Sequence, residues 1–321
     1  MSLVSSIYKK LALSSPRMEV AIRCFYWNNV NTLMRYRNIS SVSKVLKKNE
    51  SADFEKVISF IHNLGVKDDD IMLIHSSYDS LRGTGLEAAQ IIDMLIELVP
   101  NGTVAMPAIR EFIEEGEGKD YLLNYLNDAC KNITVKYDLY RTPISSGLLP
   151  FTLSRYDDAE ISEFPLNPMV AVGKHAVEMM KHNLDGEQPT AHGPMSSWAY
   201  CSEHDAWNIG IGVDLKDFLT IFHVYQEKEN WPVKDWYFTR KFIIKKGKRE
   251  KEVTIRERKH KWTKYFPEQN FYNDLLKNKL LSTAIIDGIP VYAIKATVLD
   301  SFMKKQKNIT YPYLIEKKDL K

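Results

Sequence analysis

The chain has 321 residues, of which 44% are hydrophobic and 26% charged, so its composition is that of an ordinary globular protein and excludes disordered, collagen-like and coiled-coil chains. No run of about 18 apolar residues occurs, which argues against a transmembrane helix. The three cysteines, Cys24, Cys130 and Cys201, are far apart. They predict neither a disulfide framework nor a zinc site, and together with the absence of a secretory signal they favour a cytoplasmic protein.

The net charge of +3 hides an uneven distribution. Residues 1–50 hold nine basic and two acidic residues, and residues 240–264 hold twelve basic and three acidic residues, leaving the rest of the chain with a net charge of −13. Such basic blocks are typical of an anionic ligand, of nucleic acid or a membrane surface, or simply of solvated faces.

The predicted elements follow the chain in a simple order. Residues 1–50 are expected to form two or three amphipathic helices, which could serve as an appendage, an oligomer contact, a flap or a membrane-surface helix. A helix is predicted over 54–64, a buried strand over 70–75, a helix over 86–99 and a second buried strand over 102–107. This spacing predicts a βαβ unit with a parallel sheet, and 111–134 is expected to be a loop with a helix. Later predictions are strands within 206–213 and 238–244, a turn at 246–248, a strand at 253–255, strand pairing near 288–294 and a last helix over 299–305.

Four polar segments could carry chemistry, although each alone is more often an ordinary turn, helix cap or core residue. They are Ser76-Ser77 after the first strand, the loop from Arg141 to Gly147, the helix entry from His192 to Trp198, and His223 after a strand. The sequence contains no GxGxxG, P-loop, HExxH or GxSxG pattern, so nucleotide-fold, zinc-protease and α/β-hydrolase functions are disfavoured.

Taken in order, these segments resemble the aminoglycoside 3-N-acetyltransferase family, also called the antibiotic N-acetyltransferase family. The resemblance spans about residues 54–300 and leaves residues 1–50 outside. It is carried by the following segments: His75-Ser76-Ser77 with Gly83, Gly102 to Pro107, Thr142-Pro143 to Gly147, Pro165 to Gly173, His192-Gly193-Pro194-Met195-Ser196, Ile211-Gly212, Thr220 to His223, and Pro232.

The resemblance implies an α/β fold with a mixed sheet flanked by helices. A helical N-terminal extension over 1–50 would precede an acetyl-CoA-dependent N-acetyltransferase domain over 51–321. No metal, nucleic-acid partner or integral membrane segment is expected, and a homodimer is one expectation for the assembly. The co-substrate, acetyl-CoA, would be held by His75, Ser76, Ser77, Gly83, Thr142, Ser145 and Ser146.

The same resemblance suggests the catalytic groups. His223 would be the general base that removes the proton of the acceptor amine, supported by a carboxylate that aligns best with Glu257. Glu111 and Gln226 would contact the acceptor. The chain departs from the family pattern at Gln226, where a glutamate is usual (Glu227 is adjacent), at Ser197 in place of proline, and at Pro168 in place of serine. The acceptor site is therefore expected to differ from that of the family.

The sequence leaves the acceptor open. Because the basic blocks suit a diphosphate, and Trp231, Trp236 and Tyr237 could stack on a base, the first hypothesis is a small nucleotide-linked amino sugar used in surface-polysaccharide synthesis. The alternative is an aminoglycoside antibiotic. A remote alternative is a non-enzymatic binder of nucleic acid or membrane surface, and transfer through a serine or cysteine acyl-enzyme is a further option.

Overall fold

The first strand of the main sheet shows how the core is built. In the computed structural model, which describes residues 11–30, 32–33, 51–116, 129–228, 236–306 and 315, this strand spans Ile71–Ser76. Met72 and Ile74 pack into one buried layer, and Ile71 and Leu73 into the other. Successive side chains of a strand point to opposite faces, so a strand covered on both faces must be apolar throughout, as this run is.

Ten strands lie within the described residues: β1 (Ile71–Ser76), β2 (Thr103–Pro107), β3 (Val135–Asp138), β4 (Glu160–Ile161), β5 (Met169–Gly173), β6 (Trp207–Ile211), β7 (Tyr237–Lys246), β8 (Arg249–Arg258), β9 (Ser282–Ile286) and β10 (Ile289–Lys295). The α-helices described are α1 (Pro16–Asn28), α2 (Phe54–Asn63), α3 (Tyr78–Leu81), α4 (Ala88–Glu97), α5 (Leu148–Leu153), α6 (Ala176–Lys181), α7 (Ser197–Glu203), α8 (Phe222–Lys228), α9 (Glu268–Lys277) and α10 (Ala296–Gln306). Short 3₁₀ turns span Arg82–Thr84, Ile113–Glu115, Ala129–Asn132, Leu215–Asp217 and His260–Tyr265.

Seven of the described strands form a mixed sheet in the order β4-β5-β2-β1-β6-β10-β9. β1 pairs in parallel with β2 on one side and β6 on the other, whereas β5 and β10 add antiparallel neighbours. The βαβ unit and its parallel pairing are therefore confirmed. Helices flank the sheet, as the family resemblance implied.

A second sheet, β3-β7-β8, is dominated by the long β7–β8 hairpin. The turn predicted at 246–248 is confirmed, and Gly247 takes a φ of +63°, a left-handed conformation that glycine adopts without strain. The expectation of a loop with a helix over 111–134 is only partly testable, because 117–128 lie outside the described residues. The strand that follows, β3, pairs in parallel with β7 and was not predicted.

The N-terminal helix α1 packs on α9. Ser15 caps α1 by accepting a hydrogen bond from the Met18 amide, and Pro16 occupies the first turn. Glu19 is fully buried and accepts hydrogen bonds from the amides of Gln269 and Asn270. These amides lie in the first turn of α9, where backbone N–H groups have no acceptor within the helix. One carboxylate thus joins the two helices. Other helices predicted within residues 1–50 fall largely outside the described residues.

Candidate functional site

A cavity of about 270 Å³ lies between the carboxyl end of β2 and the β7–β8 hairpin. The segment before α7 is pinned to the hairpin, because Thr190 forms a β-bridge with Arg256 and the Arg256 amide donates to the Pro189 carbonyl at 3.0 Å. The polar and charged residues that line the cavity are Arg110, Glu115, Asn167, Thr190, His192, Glu227, Tyr237, Arg256, Glu257, Arg258 and His260. The cavity thus carries carboxylates, guanidinium groups and histidines together.

His192 and Glu227 form one half of the charged centre. His192 is only 3% exposed, and its Nδ1 lies 3.7 Å from Glu227 Oε1. Thr190 donates its hydroxyl to Glu227 Oε2 at 2.5 Å. Burial alone would raise the pKa of Glu227, but the interactions with His192 and Thr190 outweigh it and lower that pKa below the usual range. Glu227 is therefore held as a carboxylate beside the His192 imidazole.

His223 forms the other half, with a ring centroid 5.0 Å from that of His192. Its Nδ1 lies 2.8 Å from Gln226 Oε1 and also contacts Arg258 Nη1, while its Nε2 lies 3.0 Å from Arg258 Nη2. Burial first, and then the adjacent Arg258 guanidinium, lower the pKa of His223 well below its ordinary value. His223 is therefore a neutral imidazole whose two nitrogens are both engaged.

The structure does not bring Glu257 to His223. Glu257 accepts a hydrogen bond from Arg240 Nη1 at 2.9 Å, and its other oxygen lies 3.2 Å from His260 Nε2. Arg240, 1% exposed, also pairs with Glu115 at 2.5 Å. The alternation of β8 is the physical reason: although both residues border the cavity, successive side chains of a strand point in opposite directions, so Arg258 meets His223 and Glu257 meets Arg240.

The other two residues expected to contact the acceptor are separated. Gln226 is 4% exposed and lies beside His223 and Arg258. Glu111 is exposed and is not among the cavity-lining residues, whereas Glu115, four residues later, is. After β2 the chain passes through a 3₁₀ turn at 113–115, so the carboxylate that lines the cavity is that of Glu115 and not that of Glu111. The spacing of the sequence alone does not reveal this turn.

The segments expected to hold acetyl-CoA lie side by side. Gly147 lies beside the end of β1, where a Cβ added to it would be in van der Waals contact with the Ser76 carbonyl oxygen, at 3.9 Å. Ser145 and Ser146 are anchored by hydroxyl bonds to the carbonyls of Ile109 and Pro107, at 3.2 and 2.7 Å, just after β2. The two loops therefore meet at the carboxyl ends of parallel strands, where ligands of α/β sheets commonly bind.

Several of the other residues expected to bind the coenzyme form hydrogen bonds within the protein. Thr142 accepts a hydrogen bond from the Asp138 amide at 2.9 Å, the Ser77 amide donates to the Ile211 carbonyl at 3.1 Å, and the Gly83 carbonyl accepts from the Ala52 amide at 3.0 Å. His75 is 7% exposed, and burial lowers its pKa to about 4. These contacts order the loops, and they leave the coenzyme-binding role of these residues a prediction.

Much of the basic block at 240–264 is paired with acidic residues, some in the body and some in the block itself. Arg240 is buried between two glutamates, and the described lysines of β7 and β8 form ion pairs as follows: Lys241 with Glu252, Lys245 with Asp138, and Lys246 and Lys251 with Glu163. The positive charge that remains directed at a ligand is therefore concentrated in the arginines that line the cavity.

Comparison with known proteins identifies the family. The family model described as aminoglycoside 3-N-acetyltransferase matches residues 73–306. The chain belongs to this family. Comparison with curated protein sequences returned no match.

Solved structures share the fold at low identity. Aminoglycoside acetyltransferase AAC(3)-Xa matches with a TM-score of 0.64 at 17% identity, covering 81% of this chain and 94% of that one. The YokD protein from Bacillus subtilis matches with a TM-score of 0.61 at 18% identity, covering 82% and 96%. The complex of AAC-IIIb with CoASH matches with a TM-score of 0.59 at 19% identity, covering 78% and 94%.

As a member of this aminoglycoside 3-N-acetyltransferase family, the protein is an acetyl-CoA-dependent N-acyltransferase, and acetyl-CoA is its co-substrate. Among the described residues, no helix is long and apolar enough to cross a membrane, and no three or more His, Cys, Asp or Glu side chains are arranged to hold a metal ion.

Sequence reasoning missed four residues of the centre: Thr190, Glu227, Arg240 and Arg258. For Glu227 a signal existed, since it follows His223 by four positions on a helix and sits beside the unusual Gln226. For Arg240 and Arg258 no sequence signal separates them from the other basic residues of the hairpin. Their place is decided by tertiary packing alone.

Proposed function

We propose that the protein transfers the acetyl group of acetyl-CoA to an amine of an aminoglycoside-type amino sugar bound in the 270 Å³ cavity. The observation that carries the proposal is a pair of neighbouring buried histidines, of which His192 lies beside Glu227 and lines a cavity next to the loops expected to hold acetyl-CoA. An ammonium group must lose a proton before its nitrogen can attack a thioester, and an imidazole titrates in the range that this requires.

The family and the named ligands of its solved members support an aminoglycoside as the first acceptor to test. Structures with similar folds include AAC(3)-IVa in complex with apramycin and AAC-VIa with bound sisomicin. Carboxylates suit such polycations, and Glu115, Glu227 and Glu257 all line the cavity of this chain.

A nucleotide-linked amino sugar is the second candidate, and the arginines favour it. Arg110 and Arg256 line the same cavity and contact no carboxylate among the described residues. Arg256 lies over the Tyr237 ring, with its Cζ 5.1 Å from the centroid. A guanidinium of this kind binds phosphate bidentately. An acceptor with one amine and one diphosphate would match this mixed lining.

The experiment is a thiol-release assay with acetyl-CoA and a panel containing both aminoglycosides and nucleotide amino sugars, with the product checked by mass spectrometry for one added acetyl group. Turnover of aminoglycosides supports the first proposal. Turnover confined to nucleotide amino sugars overturns it in favour of the second candidate, and thiol release without an acetylated amine overturns both. The surface variant Lys241→Ala, on the outer part of the hairpin, is the matched control.

A further inference from the structure

Arg258 connects the cavity to the histidine that the family resemblance implies as the base. Its guanidinium lines the cavity, whereas His223 is not among the lining residues. Arg258 Nη2 lies 3.0 Å from His223 Nε2, and Nη1 contacts Nδ1 of the same ring. His223 itself is only partly buried. The arginine that borders the cavity therefore also occupies the ring nitrogens that the proton of an acceptor amine would need.

This contact blocks proton uptake by the imidazole. In either tautomer of His223, the nitrogen without hydrogen faces a donor of Arg258, and Gln226 Oε1, 2.8 Å from Nδ1, favours hydrogen on Nδ1 and a lone pair on Nε2. A guanidinium only donates hydrogen bonds, so Nε2 cannot take a proton from an amine while Arg258 is in place. Burial first, then Arg258 and His192, lower the pKa of His223, and Gln226 opposes them.

A second guanidinium lies beside Arg258 on the same face of β8. Arg256 precedes it by two residues, about 7 Å along a strand, and lines the same cavity. Arg256 is exposed, and its Cζ lies 5.1 Å from the centroid of the Tyr237 ring. Among the described residues its side chain makes one hydrogen bond, from Nε to the Gln188 carbonyl at 3.0 Å. The ring and this bond orient the guanidinium and leave both Nη groups available to a ligand.

We propose that Arg258 makes acetyl transfer depend on an anionic group of the acceptor: a phosphate or diphosphate bound by Arg256 and Arg258 draws Arg258 off His223 and uncovers the base. A hydrogen bond from a guanidinium to phosphate is charge-assisted and about twice as strong as one to a neutral acceptor such as imidazole. The anion therefore binds the uncovered arrangement more tightly and shifts the protein toward it.

The inference rests on the proposed acetyl transfer to an amine in this cavity, and it narrows the acceptor class. Of the two acceptors proposed above, it favours the amino sugar that carries phosphate. Arg258 is then a specificity-determining residue, because an acceptor without an anion leaves it on the imidazole. Arg256 holds the anion beside it.

Once His223 is uncovered, the transfer balances with the co-substrate alone. The amine nitrogen attacks the thioester carbonyl carbon to form the new C–N bond, and the proton that leaves nitrogen goes to Nε2 of His223. The tetrahedral intermediate then collapses with cleavage of the C–S bond, and the coenzyme A thiolate takes the proton from His223. The products are the N-acetyl compound and coenzyme A thiol, and the imidazole is neutral again.

The kinetic test compares each nucleotide amino sugar of the panel with the same sugar lacking its nucleotide diphosphate. Because a positioned base contributes about 10²–10⁴-fold, the native protein should prefer the phosphate-bearing sugar in kcat/KM by at least about tenfold. In Arg258→Met the bare sugar should gain rate and this preference should disappear. The control is Arg249→Met, at the exposed far end of β8 and outside the cavity lining. An equal preference in native protein and Arg258→Met, or native turnover of bare sugars or aminoglycosides at the rate of phosphate-bearing ones, overturns the inference.

A second measurement needs no acceptor, so it separates failure of this inference from failure of the proposed function. Nitrogen NMR follows the His223 side chain while inorganic pyrophosphate is added to the protein without coenzyme. We expect pyrophosphate to raise the pKa of His223 by about 1–3 pH units, because a positive charge leaves the ring. In Arg258→Met this pKa should be raised before pyrophosphate is added, and pyrophosphate should change it little.

Arg256→Met keeps the test decisive if Arg258→Met does not fold. By calorimetry it should bind pyrophosphate about tenfold more weakly or worse, while His223 titrates as in the native protein. Absence of pyrophosphate binding, or an unchanged pKa of His223 at saturation, contradicts the inference whether or not any amine of the panel is acetylated. If coenzyme A alone raises this pKa to the same extent, the anion belongs to the coenzyme and the dependence on the acceptor is overturned.

Discussion

Arg240 is the residue whose loss should destabilise the fold most clearly. It is 1% exposed and bridges Glu115 and Glu257 on opposite sides, at 2.5 and 2.9 Å. In Arg240→Met the aliphatic stem is kept, but two buried carboxylates lose their shared cation. Breaking a buried ion pair by removing one partner costs about 3–5 kcal/mol, because the remaining charge stays desolvated.

The expected loss of unfolding free energy can be expressed as a decrease in melting temperature. An unfolding entropy of about 2.1 cal/mol/K per residue gives about 0.7 kcal/mol/K for this chain, so the expected loss lowers Tm by about 4–8 °C. Lys241→Met is the matched control on the next position of β7, since its pair with Glu252 is more than half exposed on both sides. An exposed pair contributes about 0–1 kcal/mol. Calorimetry and urea unfolding of both variants at pH 7 provide the comparison.

The pH dependence of the unfolding free energy predicts in which direction the effect of Arg240→Met changes. In the native protein, hydrogen bonds from His260 and Arg240 lower the pKa of Glu257 despite its burial, so its stabilising contribution is present above the unfolded pKa and is lost as pH falls. In Arg240→Met the two carboxylates should take up protons at higher pH. The stability difference from native should therefore shrink between pH 7 and pH 5. A difference below about 1 kcal/mol at pH 7, or one equal to that of Lys241→Met, would refute the reasoning.

Three further variants test other contacts. Glu19→Ala leaves the first amides of α9 without an acceptor and should cost about 1–3 kcal/mol and raise the protease sensitivity of the N-terminal segment, with Ser14→Ala as the exposed control. Ser196→Ala removes the cap that accepts from the Ala199 amide at 3.1 Å and should lower the unfolding free energy by about 1 kcal/mol in urea. Gly102→Ala places a Cβ against the backbone carbonyl oxygen of Asp70, just before β1, and should lower Tm by several degrees, whereas an unchanged Tm would show that these two segments can separate at no cost.

The parts of the fold that the sequence predicts are those in which local pattern and burial agree. The helix predicted over 54–64 is present as α2, with Asp53 at its N-cap accepting from the Glu55 amide, and the buried runs at 70–75 and 102–107 are the paired strands β1 and β2. Strand β3 was missed because it has only four residues, Val135 to Asp138, although buried positions alternate with more exposed ones along it. So short a pattern does not distinguish a strand from a loop.

The site was predictable only as a set of segments. Order along the chain brought Thr142 to Gly147, His192 and His223 into one hypothesis, and the structure places both histidines at one centre. The partner carboxylate differs from the expectation for a geometric reason, since a shift of one residue on a strand turns a side chain to the other face. Glu257 thus meets Arg240 and not His223, whereas Glu227, from helix α8, lies beside the other histidine, His192.

The folded structure also changes the interpretation of the charge distribution along the chain. Along the chain, residues 240–264 form a block of twelve basic residues, which by itself suits a phosphate-rich ligand. In the structure Lys245 and Lys246 pair with acidic residues of the body and Lys241 pairs with Glu252 within the hairpin, and the guanidinium groups of Arg256 and Arg258 reach the cavity beside Glu227 and Glu257. The acceptor therefore meets alternating charges at close range, and its selection depends on how its amine and any anionic group are spaced, more than on the net charge of the block.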